Sequence, residues 1–185
     1  HLNALRLIPG IYTFRPANDM ETAFAYLYFL QEMQEKKGPM ALVTSRQNFP
    51  ADVFVLPKNR ETERAALYEQ FKKGAYLFYE TEGAPQPDII FIASGSEVGL
   101  ALQSAKLVEE KDRKRVRVIS MPCLELFAEA DNSYRDQLLL GSPIPLVVVE
   151  AASHRGVQLF YDRRTILVDI ESFGKSAPAE EVAGH

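Results

Sequence analysis

One polar run in this sequence, Ser45-Arg46-Gln47-Asn48, carries residue types suited to binding an anion. An arginine presents a planar fork of donors that pairs with phosphate, and Gln47 and Asn48 add neutral hydrogen-bonding groups beside it. The run follows the apolar stretch Met40-Ala41-Leu42-Val43-Thr44, so it stands at the C-terminal end of a strand. In open α/β sheets, ligands gather at that edge. The residues themselves leave two readings of Arg46 open, a ligand contact and a structural ion pair.

Four other places could do chemistry. Ser94-Gly95-Ser96-Glu97-Val98-Gly99 lies between a strand and a helix, where free amides can hold an anion. It lacks both the G-x-G-x-x-G spacing and a P-loop lysine, and reads as a tight βα turn. His154 could act as a general base, since imidazole titrates near neutrality. No nucleophile or metal partner stands at a diagnostic spacing from it, so it reads as a loop histidine. Cys123 follows Met121-Pro122, with only Arg117 nearby to favour a thiolate, and reads as an inert packed thiol. Glu150 ends an apolar strand and reads as a partner of neighbouring backbone.

The elements that must position these residues form two blocks and a connector. In residues 1–57, residues 11–14 are β-branched and aromatic and read as a strand. Asn18 and Glu21 have capping-box spacing at the start of a helix. Its predicted inward face is Met20, Ala23, Leu27 and Leu30, widened by Phe24 and Phe29. Gly38-Pro39 stops it, and residues 40–44 make a second strand. This strand-helix-strand unit has apolar faces that need further layers, expected from sequence upstream of His1 or from another chain. The connector, residues 58–73, is highly charged and predicts a short helix with Ala65, Tyr68 and Phe71 on one side, closed by Gly74.

Residues 74–185 alternate strands and helices. Strands are expected at 76–79 (an antiparallel edge), 88–93, 115–120, 146–150 and 165–170. Ser94 and Glu97 suggest a second capping box, opening a helix that buries Val98, Ala101, Leu102, Ala105 and Val108. Further helices are expected at 131–140 and 156–161. The fold class is α/β, a mainly parallel sheet with helices on both faces, preceded by the incomplete unit. This second block should be the more stable folding unit.

The bulk numbers exclude some classes. The chain has 185 residues, 46% hydrophobic and 25% charged, with a net charge of -4. That composition is globular, and the lack of a basic excess argues against a nucleic-acid partner. No apolar run approaches a membrane span and no signal peptide opens the chain, so no membrane partner is expected. A single cysteine fits a cytoplasmic location. The chain opens without methionine and ends as a helix begins, so both ends read as cuts through a longer protein.

Several segments, in order, resemble transketolase. Leu5-Arg6-Leu7-Ile8-Pro9 and Arg15-Pro16-Ala17-Asn18 resemble the end of its pyrimidine-binding domain. Ser45-Arg46-Gln47-Asn48-Phe49-Pro50 is similar to its S/T-R-Q-N-L-P segment. Lys73-Gly74-Ala75-Tyr76 and residues 93–98 resemble the start of its C-terminal domain. Ser120-Met121-Pro122-Cys123-Leu124-Glu125-Leu126-Phe127 is the most specific match. Tyr134-Arg135, Val149-Glu150-Ala151 and residues 173–179 complete the series. Asn18 stands where the family usually has Asp, and Val157 where an aromatic is common.

The resemblance implies the tail of a pyrimidine-binding domain (1–57), a connector (58–73) and a C-terminal domain (74–185). It implies a homodimeric enzyme that moves a two-carbon ketol unit between sugar phosphates. The cofactors would be thiamine diphosphate and Mg2+ or Ca2+. The family's cofactor ligands and catalytic groups lie upstream of His1, so no catalytic, cofactor or metal residue is expected here, and the chain alone should be inactive. By resemblance, Arg46 binds the substrate phosphate, with Ser45 beside it. Rival readings are a thiamine-dependent relative (deoxyxylulose-phosphate synthase, a dehydrogenase E1 subunit or dihydroxyacetone synthase) and a non-catalytic α/β interaction module.

Overall fold

The structure is a computed structural model that describes residues 1–36, 38–45, 61–83, 86–140, 143–153 and 164–170. Arg46, Gln47, Asn48, Val157, His154 and the helix expected at 156–161 lie outside the described residues.

The first block begins with α1 (Leu2–Arg6) and β1 (Tyr12–Phe14). α2 (Asp19–Gln31), α3 (Met33–Lys36) and β2 (Met40–Leu42) follow. β1 and β2 pair in parallel, Phe14 opposite Leu42, as a two-stranded sheet. Asn18 caps α2, its Oδ1 accepting from the Glu21 amide at 2.8 Å. The reciprocal bond goes one residue further back than expected, from the Ala17 amide to Glu21 Oε2 at 2.7 Å.

The buried face of α2 differs from the expected one. Glu21, Phe24, Ala25 and Tyr28 are buried, while Tyr26, Leu27, Phe29 and Leu30 are exposed. Apolar residues lie all round this helix, so periodicity alone cannot choose its inner side. The choice is made by aromatic packing. Phe14, Phe24 and Tyr28 meet Tyr68 and Phe71 from the connector helix α4 (Glu61–Phe71). The Phe24 and Phe71 rings meet edge-on at 5.5 Å between centroids. Ala65, expected on that side, is exposed.

The second block carries β3 (Tyr76–Glu80), β4 (Ile89–Ala93), α5 (Glu97–Asp112) and β5 (Val116–Ser120). α6 (Leu124–Glu129), α7 (Asn132–Leu139), β6 (Leu146–Val149) and β7 (Thr165–Val168) complete it. Its sheet has the order β3-β5-β4-β6-β7. All pairs are parallel except β3 with β5, so the antiparallel edge strand is where the sequence puts it.

Alternation along β4 sends Ile90 and Ile92 to one face and Phe91 and Ala93 to the other. α5 covers the second face with Val98, Ala101, Leu102 and Ala105, as expected. Phe127 of α6 and Leu138 of α7 cover the first. Helices therefore stand on both faces of the sheet.

Gly74 joins the blocks in space. It lies at φ +84° just after α4, its amide donating to the Phe71 carbonyl at 2.9 Å, as a C-terminal cap does. Its own carbonyl accepts from the Cys123 amide at 3.0 Å. Phe14 in turn bridges to Cys123. The strand-helix-strand unit thus shares one aromatic core with α4, β3 and α6.

Candidate functional site

The chain runs from β4 to β5 on one side, then crosses back over β4 to β6. Strand order therefore reverses beside β4, and the crevice beyond the C-terminal ends of β4 and β6 is a topological switch point. Ser94 follows β4 there, and Glu150 follows β6. In many α/β folds this is the ligand crevice. Here two arginines of the first block occupy it.

Arg15, directly after β1, pairs through Nη1 with Glu150 Oε1 and through Nη2 with Glu97 Oε2 at 2.9 Å. The Ser94 hydroxyl accepts from Arg15 Nη1 at 3.1 Å and donates to Glu150 Oε2 at 3.1 Å. Arg6 of α1 adds its Nη2 to the same Glu150 oxygen at 3.1 Å. The backbone is tied in as well. The Arg15 amide donates to the Pro122 carbonyl at 2.8 Å, and the Gly95 amide donates to the Arg15 carbonyl at 2.9 Å.

Gly95 is at φ +57°, and a Cβ there would stand 3.3 Å from the Arg15 guanidinium carbon. Its lack of a side chain lets the guanidinium lie against the turn. The side chains of Arg15 and Glu150 are only 9% and 5% exposed. Burial lowers both guanidinium groups from their ordinary value; Glu97 opposes this at Arg15 and Glu125 at Arg6. Breaking such a buried pair strands a charge and is far more costly than losing a surface pair.

Two sequence expectations are corrected at this junction. Ser94 and Glu97 do not form a capping box: Ser96 precedes α5, without a side-chain cap bond. Both residues turn instead to Arg15. Among the described residues, the Glu150 carboxylate takes the side chains of Arg6, Arg15 and Ser94 in place of neighbouring backbone. Residues 94–99 run from β4 into α5 as the expected βα turn, and the Gly95 amide donates to the Arg15 carbonyl.

A cavity of about 10 Å³ beside Arg6 is the size one water molecule needs. Arg6 Nε and Nη1, and Glu125 Oε1, are buried without a hydrogen-bond partner among the described residues. A larger surface groove of about 350 Å³ is lined by Gln70, Lys73, Arg117, Tyr134 and Gln137. Its cations are engaged: Lys73 lies over the Tyr134 ring at 4.2 Å, and Arg117 pairs with Glu80 at 2.7 Å.

Ser45 lies exposed just beyond β2. The Val43 amide donates to the Phe14 carbonyl at 2.8 Å, so the chain leading to Ser45 is held against the residue before Arg15. The sequence singles out Ser45 and Arg46 by residue type and does not mark Arg15, Glu97 and Glu150 as a unit. The signals available in the sequence are an arginine before Pro16 at the end of an apolar strand and a glutamate closing another.

Cys123 is buried, and its thiol donates to Glu125 Oε2 at 3.3 Å. Burial, reinforced by Glu125, pushes the thiol well above its ordinary value. A neutral, enclosed thiol is inert, as expected. Thiol-reactive dye should label Cys123 at least about 10³-fold more slowly in native buffer than in denaturant, because access requires opening of the fold. Comparable rates in the two conditions would show that the aromatic core is open.

Glu21 is fully enclosed, accepting from the Tyr76 and Ser120 hydroxyls at 2.6 Å each as well as the Ala17 amide. Burial raises its pKa, opposed by these three donors. Among the described residues, no three His, Cys, Asp or Glu side chains stand together to hold a metal. The carboxylates that do converge, Glu97 and Glu150, are committed to arginines.

A mainly parallel five-stranded sheet with helices on both faces, sealed by buried ion pairs onto a two-stranded parallel unit, defines the class of this protein as α/β. The chain belongs to the transketolase family, and residues 74–185 match the transketolase-like TK C-terminal domain. It is 34% identical to a transketolase of Aquifex aeolicus over 175 residues, 95% of this chain and 23% of that protein. It is 37% identical over 188 residues to the plasmid transketolase of Cupriavidus necator, covering all of this chain and 25% of the relative. The structure of transketolase from Leishmania mexicana superposes with a TM-score of 0.78 at 32% identity, covering 98% of this chain and 24% of that one. The chain thus spans about a quarter of the length of the curated relatives it matches.

Proposed function

We propose that this chain serves as the C-terminal quarter of a thiamine-diphosphate-dependent ketol transferase acting on sugar phosphates. The observation that carries this reading is family similarity running through nearly the whole chain, across both blocks and the junction. The domain division follows: residues 1–57 end a pyrimidine-binding domain, 58–73 connect, and 74–185 form the C-terminal domain. Thiamine diphosphate and Mg2+ or Ca2+ are held by parts of the enzyme outside this chain. That cofactor supplies the carbanion chemistry of ketol transfer. The enzyme is a cytoplasmic homodimer.

Within this chain, Arg46 binds the substrate phosphate, with Ser45 beside it. A guanidinium meets two phosphate oxygens at once, fixing both position and orientation of the sugar. The phosphate is remote from the reacting carbon, so this contact acts on binding and alignment.

Titration calorimetry of the isolated chain with thiamine diphosphate and Mg2+ tests the division of labour. No saturable heat is expected. Binding at micromolar cofactor would place a cofactor site within these residues and overturn the assignment.

A further inference from the structure

Glu21, in the first turn of α2, is buried where the first block meets the sheet of the second, and nothing in the proposed phosphate contact uses it. Its seat is built by two strands. Tyr76 of β3 and Ser120 of β5 are direct partners across the antiparallel pair, so their side chains share one face of the sheet. Both hydroxyls reach the same carboxyl oxygen, Glu21 Oε1, at 2.6 Å, and the Ala17 amide reaches Oε2 at 2.7 Å. We propose that Glu21 is a pH-sensitive latch between the two blocks: with its proton it docks α2 on the Tyr76–Ser120 pair, and loss of the proton weakens that docking.

Among the described residues, only neutral groups bond to Glu21: two hydroxyls and one amide. Glu150, by contrast, meets two arginines. A buried charge without a counter-charge costs far more than a neutral group in the same place. The seat also fits the neutral form. A hydroxyl can accept as well as donate, so the acid O–H donates to one hydroxyl while the other donates to it. Oxygen pairs at 2.6 Å are in range for both forms. Burial, the largest influence on Glu21, selects the neutral one.

The surrounding groups leave Glu21 as the one that titrates. The Tyr76 phenol is held well above its ordinary value by burial and by Glu21, and the Cys123 thiol by burial and by Glu125. In the same cluster, Tyr68 of α4 is pushed up to about 12, and Tyr12 and Tyr28 are phenols as well. The nearest elements turn their charges elsewhere. Lys72 after α4 pairs with Glu32 and Glu69, Arg117 of β5 pairs with Glu80 of β3, and Asp19 of α2 is exposed.

Folding raises the proton affinity of Glu21. The folded chain therefore keeps a proton that the unfolded chain gives up above the ordinary carboxylate value of about 4.3. The latch is fully engaged below that value, and its contribution is lost as pH rises through the folded value.

The test is amide hydrogen exchange of the complete polypeptide containing this chain, read by mass spectrometry on peptides covering α2 and, as an internal control, β4. Rates are corrected for the intrinsic pH dependence of exchange. Protection of α2 is expected to fall about tenfold or more between about pH 5 and about pH 8, while β4 keeps its protection. Glu21→Gln copies the neutral carboxyl group, with an oxygen for the Ala17 amide and an NH2 for the two hydroxyls, so its α2 should stay protected at both pH values. Ser120→Ala serves if that variant does not fold. It removes a bond that favours the ionised form, so the fall should move to higher pH.

An α2 whose protection does not change with pH, an equal fall in Glu21→Gln, or a fall shared by β4 would overturn the latch. So would a Ser120→Ala variant whose fall stays at the pH of the unaltered protein. None of these outcomes bears on the phosphate reading of Arg46, which is tested separately.

Discussion

Replacing Arg46 by alanine in the complete polypeptide is expected to lower kcat/KM for phosphorylated substrates roughly 10- to 150-fold, the loss of a charge-assisted hydrogen bond of about 1.5–3 kcal/mol. Most of the loss falls on KM. A phosphate far from the reacting carbon contributes about equally to ground and transition states, and such uniform binding leaves kcat alone. Arg46→Lys restores only part, since an ammonium supplies the charge without the fork. A structural arginine behaves differently: its loss lowers thermal stability and harms turnover of glycolaldehyde as much as that of a sugar phosphate. The comparison of two acceptors therefore separates the two readings that composition leaves open.

Gly74→Ala is expected to cost about 3–5 kcal/mol of stability, from backbone strain plus overpacking. Two causes add. The residue sits at φ +84°, a conformation that side chains disfavour, and a Cβ would lie 2.3 Å from both the Cys123 carbonyl oxygen and the Phe127 amide nitrogen. Neither backbone atom can move without shifting α6, whose Phe127 is fully buried. Gly83→Ala provides the control. Gly83 is also left-handed, at φ +71°, but open space surrounds its would-be Cβ. It should cost only the backbone term, about 1–2 kcal/mol. Thermal denaturation of the two variants reads the difference. A Gly74→Ala variant as stable as Gly83→Ala would mean that the contact between the connector and α6 is loose.

The parts of the fold legible in the sequence are those set by local pattern. β4, α5 and β5 show apolar runs, helical spacing and turn residues that all agree, and they form where expected. Asn18 is legible as a cap for the same reason. The inner face of α2 was not legible, because Leu27, Leu30 and Phe29 are as apolar as Phe24 and Tyr28. Only the arrival of Tyr68 and Phe71 decides between them. α6 is six residues long, too short for periodicity to mark.

The junction is the largest gap, for a physical reason. Ser94 and Glu97 carry a local signal for a cap, and three residues of spacing are enough to suggest one. Their actual partner, Arg15, is 79 and 82 residues away. Arg15 and Glu150 are separated by 135. No local pattern encodes a pair at that distance; it forms because β4 and β6 pair side by side and the residue after β1 reaches their C-terminal ends. Ser45 and Arg46 were singled out by residue type and strand edge, and their role came from resemblance alone.

The most direct measurement is a two-carbon transfer assay on the complete polypeptide that contains this chain, run beside the 185-residue chain itself. A ketose phosphate is the donor and an aldose phosphate the acceptor, with thiamine diphosphate and Mg2+ present. The complete polypeptide should lengthen the acceptor by two carbons only when the cofactor is supplied, and the isolated chain should give no product. A complete polypeptide that binds the cofactor yet transfers no ketol unit, or an isolated chain that does transfer it, would contradict the account.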